Sequence, residues 1–123
     1  MSLSDLFLKM LEYHNNLKLY HFQTKRYGYH KASDELHSKL NELIDHFFEV
    51  YQGKYKKFPP MKGVTHVATI KDKDFVKYTR SFMDMLERST REKCKLRLNS
   101  DLCNILDEIR AALAHFIYMS TFK

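Results

Sequence analysis

An all-α chain of four long helices in a single domain, residues 1–123, is what the sequence predicts. Two observations predict it. Glycine and proline are scarce, three and two in 123 residues, too few turn-makers for a many-stranded β fold. Apolar residues recur three and four apart in separate stretches, the mark of helices that bury one face. A chain of this length buries roughly two-thirds of the surface its unfolded form exposes, enough for a core without metal or disulfide staples.

The first helix is expected to open at Ser2-Leu3-Ser4-Asp5, a hydroxyl cap followed three residues later by an acid, and to run to about Thr24. Its apolar stripe is Leu3, Leu6, Phe7, Met10, Leu11 and Leu17, with His21 on the same face. Lys25-Arg26-Tyr27-Gly28 reads as the turn, Gly28 supplying the positive backbone angle that ends a helix. The second helix is expected over about Tyr29–Gln52, with Leu36, Leu40, Leu43, Ile44, Phe47, Val50 and Tyr51 inward and Gly53 as its stop.

From Gly53 to about Lys73 the chain is basic and irregular, with Pro59-Pro60 and Gly63, although Val64–Ile70 suits a short helix or an extended piece. A third helix begins at Asp72 or Lys73, carries Phe75, Val76, Phe82, Met83 and Leu86, and fades into Arg- and Lys-rich sequence. Asn99-Ser100-Asp101 is a strong cap for the fourth, whose stripe is Leu102, Ile105, Leu106, Ile109, Ala112, Leu113, Phe116 and Ile117. Two short turns and one long crossover, between the second and third helices, make the connectivity ferritin-like rather than simple up-and-down.

Lys and Arg total 21 against 15 acids, a net charge of +6, so the surface carries a mild positive field. Lys54, Lys56 and Lys57, with Tyr55 and Phe58 interleaved, suit weak contact with nucleic acid, as do Arg88, Arg91, Lys93, Lys95 and Arg97. The second cluster also has an ordinary structural reason, because cations complement a helix C-terminus. Cys94 and Cys103 lie nine apart, neither a redox pair nor a metal knuckle, and read as reduced thiols of a cytoplasmic protein. No apolar run approaches a membrane span, and the first residues lack a secretion signal, so a soluble, non-exported protein is expected.

A polar ribbon flanks the apolar face of the second helix. With His30 at zero, Asn41 falls at about 20°, Asp34 at about 40°, Asp45 at about 60° and Glu49 at about 100°. His30 and Asp34 stand one turn apart, as do Asp45 and Glu49, close enough for each pair to chelate a metal. Asp34 and Asp45 are separated by about 16 Å along the axis, too far to share an ion within one chain. Two such helices crossing antiparallel at a two-fold axis would set the His30/Asp34 end of one beside the Asp45/Glu49 end of the other, with His21 in reach. That imidazole and carboxylate mixture suits iron or zinc. His14 and His37 read as packing or surface residues, His46 faces the solvent side with Glu35, Glu42 and Lys39, and His66 and His115 have no partner at ligand spacing.

Tyr20-His21-Phe22-Gln23-Thr24, then His30 and Asp34, then Asp45 and Glu49, resemble the first two helices of the Dps-type mini-ferritins, DNA-binding proteins from starved cells. Ser100-Asp101-Leu102 and Ala114-His115-Phe116-Ile117-Tyr118-Met119 extend the resemblance to the last helix. The string from His21 through Gly53 is also similar to uncharacterised ferritin-like proteins of phages and large DNA viruses, which would place the protein in a host cytoplasm or a virion. The resemblance implies a di-iron ferroxidase site with His21, His30 and Asp34 from one subunit and Asp45 and Glu49 from its neighbour, Glu49 bridging. It implies Fe(II) oxidation to Fe(III) by peroxide or oxygen, zinc as a possible surrogate, and a two-fold dimer built into a larger homo-oligomer such as a dodecamer.

The sequence departs from that family at several points. Phe22 stands in place of a tryptophan, the first turn is shorter, and no lysine-rich arm precedes the first helix, so DNA is expected to be a weak partner. The net positive charge also suits an iron-storing interior poorly. The alternative expectation is a catalytically silent ferritin-like bundle, used for assembly or for coating anionic polymers.

Overall fold

Ser2 starts the first helix with a reciprocal cap: its hydroxyl accepts the Asp5 N–H at 3.1 Å, and the Asp5 carboxylate accepts the Ser2 N–H at 3.2 Å. These bonds hold the Asp5 carboxyl below the usual carboxylate range. The computed structural model describes residues 2–94 and 100–122, and among them every regular element is helical. The helices are α1 (Leu3–Gln23), α2 (Tyr27–Tyr55), α3 (Asp72–Cys94) and α4 (Ser100–Met119). The all-α, four-helix expectation holds.

Two glycines behave differently from expectation. Thr24 leaves α1 in an extended conformation, and Thr24 to Arg26 reverse the chain without any positive backbone angle, so Gly28 lies inside α2. Gly53 is helical too, and α2 ends instead at Lys56, which takes the left-handed conformation (φ 54°) and donates its N–H to the Gln52 carbonyl. Neither glycine is crowded or carries a positive angle, so neither position demands glycine.

Residues 58–71 carry no helix or strand. They lie along α1, held by polar side chains rather than by backbone pairing. Ser4 donates to the Pro60 carbonyl (2.7 Å), and Glu12 accepts the His66 N–H (2.9 Å). Asn16, buried, donates to the His66 carbonyl and to Tyr78 Oη and accepts the Ala68 N–H, each at 3.0 Å. Gln23 donates to the Ile70 carbonyl, and Thr24 and Tyr20 both donate to Asp72 at the head of α3.

Ring contacts give the helix directions. Phe7 meets Phe47 and Tyr51 while His21 meets His30, so α1 and α2 are antiparallel. Tyr20 stacks on Phe75 and Tyr13 on Phe82, so α1 and α3 are antiparallel as well. Tyr29 donates to the Ser120 carbonyl at one end, and Lys54 pairs with Asp101 at the other, which aligns α4 antiparallel to α2. The core between them is aromatic at its centre: Phe7, Tyr13, Tyr20, Phe47, Phe75 and Phe116 are essentially inaccessible to solvent. Tyr13 Oη reaches Thr79 Oγ1 at 2.8 Å inside it, so the buried hydroxyl has a partner.

The cysteines correct the expectation of reduced thiols. Cys94 at the end of α3 and Cys103 in α4 are joined by a disulfide, with Cα atoms 6.2 Å apart. Nine residues of separation do not reveal this, because the approach depends on how α3 and α4 pack against each other. The Asn99 part of the expected α4 cap lies outside the described residues; Asp101 accepts the Leu102 N–H at 2.9 Å.

Candidate metal centre

His21 lies in the last turn of α1 and His30 in the first turn of α2, and the three-residue reversal between the helices sets them face to face. Their rings stack with centroids 4.1 Å apart and planes 22° from parallel. The contact is reciprocal. His21 Nδ1 bonds the His30 carbonyl (3.1 Å), and His30 Nδ1 bonds the His21 carbonyl (2.9 Å). A carbonyl oxygen only accepts, so each Nδ1 carries the ring proton and each neutral ring keeps its lone pair on Nε2. Ser33, fully buried, donates to the His30 carbonyl at 3.0 Å and lies 3.4 Å from His21 Nδ1, which braces the pair.

Asp34 follows one turn after His30. Its Oδ1 is 3.9 Å from His21 Nε2, with the His21 side chain 12% and the Asp34 side chain 62% exposed. In the neutral ring a lone pair therefore faces a carboxylate, an arrangement that attracts a cation. Atoms 3.9 Å apart admit an ion at about 2.0–2.2 Å from each, the range of imidazole and carboxylate bonds to small divalent metals. His21 is thus brought beside His30 on one side and Asp34 on the other, as two pairs rather than one three-ligand group.

Asp45 and Glu49 are not brought there. Both are exposed on α2, and because that helix is unbroken they stay about 16 Å and more along its axis from Asp34. Among the described residues no three His, Cys, Asp or Glu side chains of this chain are grouped closely enough to hold a metal ion.

A second histidine pair lies two turns further along the same groove. His14 of α1 stacks on His37 of α2, centroids 4.1 Å apart and planes 18° from parallel. The His14 Nε2 is buried and has no hydrogen-bond partner. Burial pushes the His37 imidazole down to about 4, with His14 and Lys18 adding to the shift; burial also pushes His14 down, opposed by the nearby His37 backbone and by Asp45. The expectation of packing or surface residues leaves out that the two meet each other. The signal that pairs them is arithmetic: 14 with 37 and 21 with 30 have the same sum, as antiparallel neighbours must.

Elsewhere, Phe22 is 70% exposed, with the Lys18 ammonium 5.0 Å from its ring centre. A cavity of about 520 Å³ opens between α2 and α4 on a different side of α2, floored by Ala32, Leu36, Ala112 and Phe116 with Glu35 and His115 on its walls. Among the described residues no helix is long and apolar enough to cross a membrane.

No curated protein and no solved structure matches the chain. Residues 21–119 match a family described as "Family of unknown function (DUF5856)", a span that begins at His21 and takes in His30, Asp34, Asp45 and Glu49. With the match running from the first of these histidines to the last residue of α4, the chain belongs to the DUF5856 family.

Proposed function

We propose that this protein is a ferritin-like member of the mini-ferritin type that binds Fe(II) and oxidises it at a site shared by two copies of the chain. The observation that carries the reading is the His21 Nε2 to Asp34 Oδ1 gap of 3.9 Å, with Nδ1 of both His21 and His30 tied to backbone carbonyls. Metal-bound histidines characteristically donate their other ring N–H in this way, which fixes the tautomer and aims the free nitrogen. The parallel stacking keeps the two rings from converging on one ion. A separation of 4.1 Å between ring centres is instead compatible with two neighbouring ions, as in two-metal sites.

The ferritin-like reading of the fold is supported by the path of residues 58–71 along α1, which returns the chain from the end of α2 to the start of α3 as a long crossover does. In the proposed site Fe(II) is the substrate. His21, His30 and Asp34 hold it from one subunit, and Asp45 and Glu49 of a two-fold related copy complete the oxygen ligands. The imidazole nitrogens and carboxylates keep the ions in place while each gives one electron to peroxide or oxygen.

The test is an anaerobic Fe(II) titration followed by peroxide. The reading requires about two ions per shared site, and oxidation reduced at least tenfold in Asp34→Asn, Asp45→Ala and Glu49→Ala. Zn(II) should compete for the same positions. Oxidation at an unchanged rate in Asp45→Ala and Glu49→Ala would overturn it, and oxidation no faster than without protein would leave a silent assembly or polymer-coating protein.

A further inference from the structure

We propose that Cys94 and Cys103 form a reversible thiol–disulfide site for hydrogen peroxide, with Cys103 as the attacking sulfur and Cys94 as the resolving one. The two are the only cysteines in the chain, and the helix ends that carry them bring their Cα atoms to 6.2 Å, within disulfide range. Both residues are half-buried, so peroxide reaches them, and neither belongs to the buried core. A fold of this kind does not depend on the bond. Contacts such as Phe75 against Phe116 already hold α3 to α4, and the bond closes only a short loop between neighbouring helices.

The surroundings assign the roles. Cys103 is the fourth residue of α4 (Ser100–Met119), where the positive end of the helix dipole favours negative charge, against the nearby Asp101 carboxylate. Cys94 ends α3, where carbonyls of the last turn oppose negative charge on its sulfur, although Arg91 and Lys93 stand beside it. In the reduced chain the Cys103 thiolate attacks one peroxide oxygen, the O–O bond breaks, and hydroxide leaves to be protonated to water. The Cys94 sulfur then attacks the sulfenic sulfur of Cys103, the S–O bond breaks, and the hydroxyl leaves as a second water while the S–S bond forms, with the thiol protons balancing both. Two thiols and one peroxide give one disulfide and two waters. Reduced glutathione reverses the step by thiol exchange.

The experiment uses the full chain, reduced and then freed of reductant, with a chelator present so that iron chemistry contributes nothing. One equivalent of hydrogen peroxide should remove both thiols and lower the mass by two hydrogens, at least about tenfold faster than in the same chain unfolded in urea. In Cys94→Ser, a sulfenic-acid trap should label Cys103, whereas Cys103→Ser should give several-fold less label on Cys94. Circular dichroism of the reduced chain should keep the helical signal. Oxidation no faster than in the unfolded chain, labelling that favours Cys94, loss of helix on reduction, or a bond that millimolar reduced glutathione leaves intact would each overturn the proposal. Because no metal is involved, the outcome is independent of the iron reading.

Discussion

At the residue scale, the polar groups inside the bundle are the most informative. Thr79 Oγ1 donates to the Phe75 carbonyl at 2.9 Å and so accepts from Tyr13 Oη, both side chains being closed to solvent. Removing either partner is not equivalent. Tyr13→Phe deletes one bond and leaves Thr79 still bonded, at a cost of about 0.5–1.5 kcal/mol, whereas Thr79→Val strands the Tyr13 hydroxyl in the core at about 1–3 kcal/mol. Urea unfolding should therefore rank Thr79→Val as the more damaging change. The His14/His37 pair makes a different forecast. The folded state resists protonating His37 until about 4, while the unfolded chain protonates a histidine near 6.5. Protons then bind the unfolded state preferentially, so stability contributed by the neutral pair is present above about pH 6.5 and declines as pH falls toward 4. Urea midpoints measured from pH 7.5 to 4.5 should fall, and less steeply in His37→Gln.

The helices themselves were legible in the sequence, and their ends much less so. Apolar spacing located all four, and the Ser2 and Asp5 cap was readable because it is a local bond pattern. The end of α2 was misjudged because glycine permits a stop without requiring one. Lys56, pulled into the left-handed region, takes that role three residues later. Gly53→Ala should accordingly stabilise the protein by about 0.5–1 kcal/mol, since nothing stands near the added carbon. Gly63 is the contrary case. Its φ is 158°, and a Cβ there would sit 2.7 Å from Leu8 Cδ1, so Gly63→Ala should destabilise and loosen the segment from α1. Thermal melts of the two variants should move in opposite directions.

For the whole molecule, the proposed chemistry turns on what α2 meets. One chain holds His21, His30 and Asp34 at one end of the groove and leaves Asp45 and Glu49 exposed at the other. If copies pair antiparallel so that residue 34 faces 45, the crossing point falls close to Asn41, which is exposed. Light scattering should then give a mass of at least two 14.8 kDa chains. Asn41→Arg should shift it toward the monomer by setting like charges against each other, while the helical signal is retained. A monomer mass for the unaltered chain would count against the shared site.

Periodicity alone determined that this chain makes helices, which faces they bury, and that α2 carries His30, Asp34, Asp45 and Glu49 on one polar ribbon, because helical pitch converts sequence spacing directly into azimuth. Only the tertiary structure decided that His21 meets His30, that His14 meets His37, that Cys94 reaches Cys103, and that residues 58–71 lie on α1. These contacts join residues whose approach depends on how a turn reverses the chain and how neighbouring helices register. That information resides in packing between elements, where no repeat within a single stretch records it.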